Sequence, residues 1–207
     1  MKRIISMFIL LLFFLKLNAQ FSEKNAIYLT GGLDVGNFLG MNLNLNYVLN
    51  NNFSFQAGIS GLFREPKSKP DDFTSGLVGL FTAGFSNLLY LDEMENYQIL
   101  VGKILKSNKS STTRFNIGGG IGYTYLTEAI NWKPVTHDIV LGENYTYDIV
   151  KHGSISLIIN PKVEFPFTRY FGITLSPMLQ INKDRTYIGI GIGAMLGLLR
   201  EKTNQNK

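Results

Sequence analysis

The sequence predicts an all-β chain: an antiparallel up-and-down transmembrane β-barrel, with eight strands the best count. Three observations lead there. The first is the stretch Thr186-Tyr187-Ile188-Gly189-Ile190-Gly191-Ile192-Gly193-Ala194-Met195-Leu196-Gly197-Leu198, whose even positions from 188 are aliphatic and whose odd positions between them are four glycines and Met195. Successive side chains on a strand point to opposite faces, so this is one extended strand with an aliphatic face and a glycine face. A helix would scatter the isoleucines and lose roughly 1 kcal/mol at each glycine. The second is that such alternation recurs in blocks of about 9–11 residues, the length a tilted strand needs to cross a bilayer. The third is that only 17% of the 207 residues are charged, below the roughly 25% of soluble domains. No internal run of about 20 apolar residues supplies a spanning helix instead.

Cysteine is absent, which removes disulfides, thiolate metal sites and lipidated cysteines and is permissive for an oxidising compartment. The formal net charge is +5, but Lys2, Arg3 and Lys16 lie in residues 1–19 without an acid, so the remainder carries only +2. That balance gives no argument for nucleic acid.

Taken in order, Lys2-Arg3, the apolar run Ile4 to Leu15 and Lys16-Leu17-Asn18-Ala19 read as a secretory signal peptide over residues 1–19, cleaved after Ala19. Leu17 departs from the small residue usual at −3, and the apolar run is too short for a membrane anchor. Residues 20–199 are then the barrel and 200–207 a polar tail. Ala26 to Val35 is the first strand, with Ile27, Leu29, Gly31, Leu33 and Val35 on one face. The second strand turns Met41, Leu43, Leu45, Tyr47 and Leu49 outward and Asn42, Asn44 and Asn46 inward, because unpaired amides in hydrocarbon cost several kcal/mol. Asn50-Asn51-Asn52 is a tight turn, since asparagine tolerates positive φ. The third strand runs from Phe53 to Phe63, with Ser54, Gln56, Gly58 and Ser60 inward.

Residues 64–96 read as a first long insertion, a loop with a helical or hairpin excursion within 73–91. Tyr97 to Lys106 is the fourth strand, where Lys103 shares the outward parity of Ile99 and Val101 and calls for a bulge or for snorkelling at the interface. Ser107 to Ser111 is a short turn. The fifth strand points Phe115, Ile117, Gly119, Ile121, Tyr123 and Tyr125 outward and Arg114, Asn116, Gly118, Gly120, Gly122 and Thr124 inward. Residues 127–152 read as a second insertion, in which the alternation of Tyr145, Tyr147 and Ile149 allows a hairpin extended above the membrane. The sixth strand presents Ile155, Leu157, Ile159, Val163 and Phe165 outward. The seventh presents Phe171, Ile173, Leu175, Leu179 and Ile181, and Asn182 to Arg185 turns into the eighth. Pro161 and Pro177 each remove a ladder donor, as at bulges.

The connections after strands two, four and six are short, and two of the four others are long. Short turns on the side of the termini and long loops opposite are the arrangement of bacterial barrels. A ten-stranded version using 73–86 and 139–150 obeys the same parity. With signal peptide, strand count and loop asymmetry in place, residues 24–199 resemble the small outer-membrane β-barrel proteins, the class of OmpX and the OmpA transmembrane domain. The resemblance implies the outer membrane as location and an all-β barrel as fold. Many such barrels end on a terminal aromatic, whereas this chain runs past Leu199 into its polar tail.

Candidate chemistry is sparse. His152-Gly153-Ser154 with Glu164 faintly resembles the His-x-Ser arrangement of lipid A deacylases, which would make Ser154 the nucleophile, His152 the base and Glu164 the orienting acid. Ten strand residues separate Ser154 from Glu164, however, roughly 33 Å, and their shared face is the lumen, away from acyl chains. His137 has no carboxylate or histidine at metal spacing, and Gly118-Gly119-Gly120 with Gly122 precedes no helix that would make it a phosphate loop. Neither a cofactor nor catalysis is expected. The residue-level expectation is a lumenal polar cluster of Arg114, Lys162 and Glu164, all inward near one end of the fifth and sixth strands. Tyr47, Phe53, Phe115, Phe165 and Phe171 near one set of turns, with Phe63, Tyr123 and Tyr125 near the other, suit the two membrane interfaces.

An eight-stranded barrel has an interior just filled by side chains. The expected function is therefore structural or interactive: loops 65–96 and 127–152 presented outside for an extracellular or periplasmic protein partner, a surface glycan or adhesion, with outer-membrane lipid around the barrel. The alternatives are a lipid-modifying enzyme, a small-solute pore and a lipocalin-like soluble barrel. The last would need a face rich in Lys and Glu, where this chain has Gly, Asn, Ser and Thr.

Overall fold

The structure, a computed structural model, describes residues 25–74, 91–106, 113–135 and 143–199. These form β1 (Ala26–Gly36), β2 (Leu39–Leu49), β3 (Phe53–Arg64), β4 (Asp92–Lys106), β5 (Arg114–Pro134), β6 (Tyr145–Ile159), β7 (Lys162–Phe165), β8 (Phe171–Ile181) and β9 (Thr186–Leu198). Every pairing is antiparallel, and each strand pairs with the next in the chain except β6 with β7. β1 also pairs with β9 from Ile27↔Leu198 to Gly36↔Gly189, which closes the sheet. β6 and β7 are two pieces of one ring position, since both pair with β5 and both with β8. The ring therefore has eight positions. Direct pairing of β3 with β4, and of β5 with β6, leaves no place for the two extra strands of a ten-stranded ring.

The alternation in the sequence maps onto the two faces. Leu43, Ile117, Ile188, Ile192 and Leu196 are each at least half exposed on the outer surface, whereas Asn44, Asn46, Gln56 and Asn116 are buried inside. Apolar outside and polar inside is the reverse of a soluble sandwich, and it suits hydrocarbon, where every exposed backbone group must be paired. The predicted aromatics stand outward at both ends: Phe53, Phe115 and Phe171 on the side of the chain termini and Phe63 and Tyr123 on the other. Lys103 keeps its outward position in an unbroken register between Phe53 and Ile117. It is therefore no bulge, and its place near the strand end lets its stem lie along the surface.

Local chemistry sets the turns. Asn50 and Asn51 both have positive φ, 52° and 55°, and Asn52 N donates to Leu49 O over 3.0 Å, so three asparagines turn the chain between the paired residues Leu49 and Phe53. The Asn182 side-chain oxygen accepts from the backbone N–H of Asp184 and Arg185, and Thr168 Oγ1 accepts from Tyr170 and Phe171.

Three expectations change. β4 begins at Asp92, so the first insertion is shorter than 64–96; its excursion over 75–90 lies outside the described residues. β5 runs on to Pro134 and β6 starts at Tyr145, so most of 127–152 is hairpin and not loop. The sixth strand is broken at Asn160-Pro161, where the proline has no N–H to give and the chain splits into β6 and β7. The interior is also less uniformly hydrophilic than its asparagines suggest, because Phe38, Leu62, Met94, Leu126, Ile158 and Tyr187 form a buried cluster in its upper half.

Candidate functional site

Arg114, Lys162 and Glu164 all point into the lumen and all are buried. The register places Arg114 directly opposite Glu164, and Asn116 opposite Lys162. Arg114 Nη2 lies 2.9 Å from Glu164 Oε2, a charge contact off the hydrogen-bond direction. The directed bond to this carboxylate comes from Tyr28, whose hydroxyl donates to Glu164 Oε1 over 2.6 Å. Arg114 Nη1 in turn donates to Leu199 O over 2.8 Å, and its guanidinium lies over the Tyr28 ring. Leu199 is fully buried, and its N–H donates to Arg169 O. Strands β1, β5, β7 and the end of the chain are thus tied together across the mouth on the side of the termini.

Lys162 shares the face but not the carboxylate. Its ammonium donates to Asn46 Oδ1 over 3.3 Å and to Gln56 Oε1. From there amides run up the lumen: Gln56 Nε2 and Gln98 Nε2 both donate to Asn44 Oδ1, Asn44 Nδ2 donates to Asn42 Oδ1, and Asn42 Nδ2 donates to Asp34 Oδ2. The period-two asparagines of β2 are the centre of this ladder, and their short side chains reach one another because i and i+2 share a face.

A second charged cluster closes the opposite end. Arg64 Nε and Nη2 donate to Asp92 Oδ2 at 3.0 and 2.9 Å, and Arg185 donates to Glu128 Oε1, which lies 3.9 Å from Arg64 Nη2. The Arg64 guanidinium lies 4.5 Å from the centre of the Phe38 ring. Sequence reasoning missed these four residues because it placed them in loops or turns. Continuing the parity of each strand outward would have found them: Arg64, Asp92, Glu128 and Arg185 each fall on the inward set.

Beyond this rim β5 and β6 rise as a two-stranded hairpin, since β4 begins at Asp92 and β8 ends at Ile181. The register slips by one between Ile130 and Lys133, around Asn131 with φ 57°, a β-bulge that re-aims Trp132. Trp132 packs edge-on against Phe73, with centroids 5.2 Å apart, and tilted against Tyr147 at 4.8 Å. The edge of β5 that β4 leaves open is met by the start of the first loop: Ser68 Oγ donates to Ala129 O over 2.7 Å, and Trp132 Nε1 donates to Ser68 Oγ. Tyr145 donates to Asp72 Oδ1 over 2.8 Å, and Asn144 bonds both Asp72 O and the Thr74 N–H.

The residues that could act as a lipase-like triad are not gathered. His152 is exposed on the hairpin, Ser154 is buried in the lumen, and Glu164 is held by Tyr28 and Arg114 ten residues away. His137 lies outside the described residues.

No family model matches the chain, and no curated protein matches it. Among solved structures it is similar to Ail, the attachment invasion locus protein of Yersinia pestis, at 12% identity and a TM-score of 0.47 over 84% of this chain and 96% of that one. It is similar also to the N-terminal β-barrel domain of Pseudomonas aeruginosa OprF (9% identity, TM-score 0.48, 84% and 98% covered). A third is Neisserial surface protein A (9% identity, TM-score 0.46, 84% and 97% covered). The architecture, an eight-position closed antiparallel ring with an apolar exterior and a filled polar interior, is that of the small outer-membrane β-barrels, the class of OmpX and the OmpA transmembrane domain.

Proposed function

We propose that this chain is exported by a signal peptide over residues 1–19 and acts as a sealed outer-membrane anchor. It presents the β5–β6 hairpin and the 65–91 loop outside for adhesion or for a partner protein or glycan. The observation that carries the reading is the contrast between the two ends. The lumen is obstructed by Arg114, Glu164 and Leu199 at one mouth and by Arg64, Asp92, Glu128 and Arg185 at the other, whereas among the described residues the elaborated surface lies beyond the second mouth. In this reading Arg114, Lys162 and Glu164 plug the interior and hold the strands together.

The test is a chain in which residues 128–150 are replaced by a two-residue Asn-Gly turn. The shortened chain is expected to keep the heat-modifiable gel migration of a folded barrel, while cells carrying it lose binding to immobilised host proteins or glycans that retain cells with the full chain. Equal retention of both cell populations refutes the proposal.

A further inference from the structure

The start of the first loop is built from two β-turns in tandem, Pro66-Lys67-Ser68-Lys69 and Pro70-Asp71-Asp72-Phe73. Each is closed by its own bond: the Lys69 N–H donates to Pro66 O and the Phe73 N–H to Pro70 O, both over 3.2 Å. The third residue of each turn is tied to the hairpin. Ser68 bonds Ala129 and Trp132, and Asp72 bonds Tyr145 and Asn144. The fourth residues meet each other: the Lys69 ammonium lies 5.2 Å from the centre of the Phe73 ring, and 2.7 Å from Glu65 Oε1.

The second residues of the two turns, Lys67 and Asp71, are left to line a cup of about 420 Å³ with Glu65, Lys69, Phe73 and the two prolines. That volume falls within the roughly 300–1,000 Å³ of small-ligand sites. Pro66 is buried, whereas Lys67 and Asp71 are exposed. Among the described residues the Lys67 and Asp71 side chains have no ion pair or hydrogen bond, while Lys69 and Glu65 are engaged with each other. Two closed turns, two fixed proline φ angles and anchors at both third positions hold the cup in shape before a ligand arrives, which lowers the ordering cost of binding.

The charges define the ligand. Two ammoniums and two carboxylates line the cup, so its charge sums to zero. An ammonium only donates and a carboxylate only accepts, whereas a hydroxyl does both. Neighbouring hydroxyls on one ring therefore suit Lys67 and Asp71 together, and a ligand of either net charge meets as many like charges as opposite ones. We infer that the cup seats the neutral hexopyranose end of a glycan, its hydroxyls bridging Lys67 and Asp71. The inference rests on the proposed outward, adhesive role of this loop and names a ligand class for it.

Saturation-transfer NMR on the full chain in lauryldimethylamine oxide, a detergent without sugar, tests it. The probes are the methyl glycosides of glucose, mannose and galactose, with glucuronate, glucosamine and glycine as anionic, cationic and zwitterionic competitors. At least one neutral glycoside is expected to bind and to withstand each competitor at equal concentration. Lys67→Ala and Asp71→Ala are each expected to weaken it about tenfold, the scale of one hydrogen bond to a charged group, with heat-modifiable migration unchanged. Lys67→Glu makes the cup net negative and is expected to turn its preference to glucosamine, a change that a merely loosened loop would not produce. Binding of no neutral glycoside, binding unchanged in both alanine variants, or a native preference for any charged or zwitterionic probe would each overturn the inference. Cells that adhere through the native chain while the purified chain binds no glycoside would sink this seat and leave the adhesive reading standing. Polysaccharide released from the cell's own lipopolysaccharide separates the two sources of such a sugar: displacement of the glycoside supports a seat for the cell's own coat, and no displacement supports one for a foreign glycan.

Discussion

Glu164 has no exposure, and its neighbours within the lumen are Arg114 and Tyr28. Removing one member of a buried pair leaves the other charge without a partner, a loss of about 3–5 kcal/mol, whereas replacing both by apolar groups is often neutral. Arg114→Leu alone is therefore expected to lower the urea midpoint of unfolding strongly, and Arg114→Leu with Glu164→Leu to restore most of it; additive losses in the double-mutant cycle would contradict this account. Two lumenal glycines make a second contrast. A Cβ on Gly120 would lie 2.1 Å from Ile99 O and 2.8 Å from Leu100 Cα, both backbone of the paired strand, whereas on Gly118 its nearest neighbour would be 3.5 Å away. Gly120→Ala should fold in poor yield into detergent micelles and Gly118→Ala normally, compared by the fraction of heat-modifiable protein. Gly197, at φ 143°, adds a conformation that side-chain-bearing residues avoid.

The hairpin is the element least like its sequence reading, and the cause is local. Alternation is clear up to Tyr125 and Glu128 still holds the inward parity, but beyond Ile130 the bulge at Asn131 shifts the parity by one. The hairpin also stands outside the bilayer, where apolar and polar faces no longer sort against hydrocarbon. The Tyr145 hydroxyl is one of the groups that dock it to the first loop. Donation to Asp72 favours the protonated phenol and raises it above its ordinary value, about 10. A raised acid contributes while pH stays below the ordinary value and loses its contribution as pH climbs through the folded one. Trp132, the sole tryptophan of the sequence, reports on that contact, so its emission should shift above pH 10 in the native chain. In Tyr145→Phe it should be shifted already at pH 7 and stay flat. A pH-independent native spectrum would show that docking does not use this bond.

At the scale of the molecule, the closed ring and its inside-out polarity were legible because one physical rule, period-two burial against lipid, acts on every strand and leaves rows such as Ile188, Ile190 and Ile192. The rim cluster was legible only as four inward positions, because Arg64, Asp92, Glu128 and Arg185 come from four separate places in the chain and their pairing is set only when the barrel closes. The break at Pro161 was half visible: a lost donor could be read, but a split strand depends on how β5 and β8 both follow it. With both mouths charged and the upper lumen filled by Phe38, Leu62, Met94 and Tyr187, the barrel should show no steady conductance in planar bilayers. Stepwise conductance at neutral pH would place a solute path through this interior.

The closing pair joins Ile27 of β1 to Leu198 of β9, the first and last strands of the ring. The cylinder cannot close until β9 is available, so the earliest strand waits for the latest. A chain cut before Thr186 would leave two raw margins at once, β1 on one side and β8 on the other. Such a fragment exposes two rows of unpaired backbone groups and does not close as a smaller barrel.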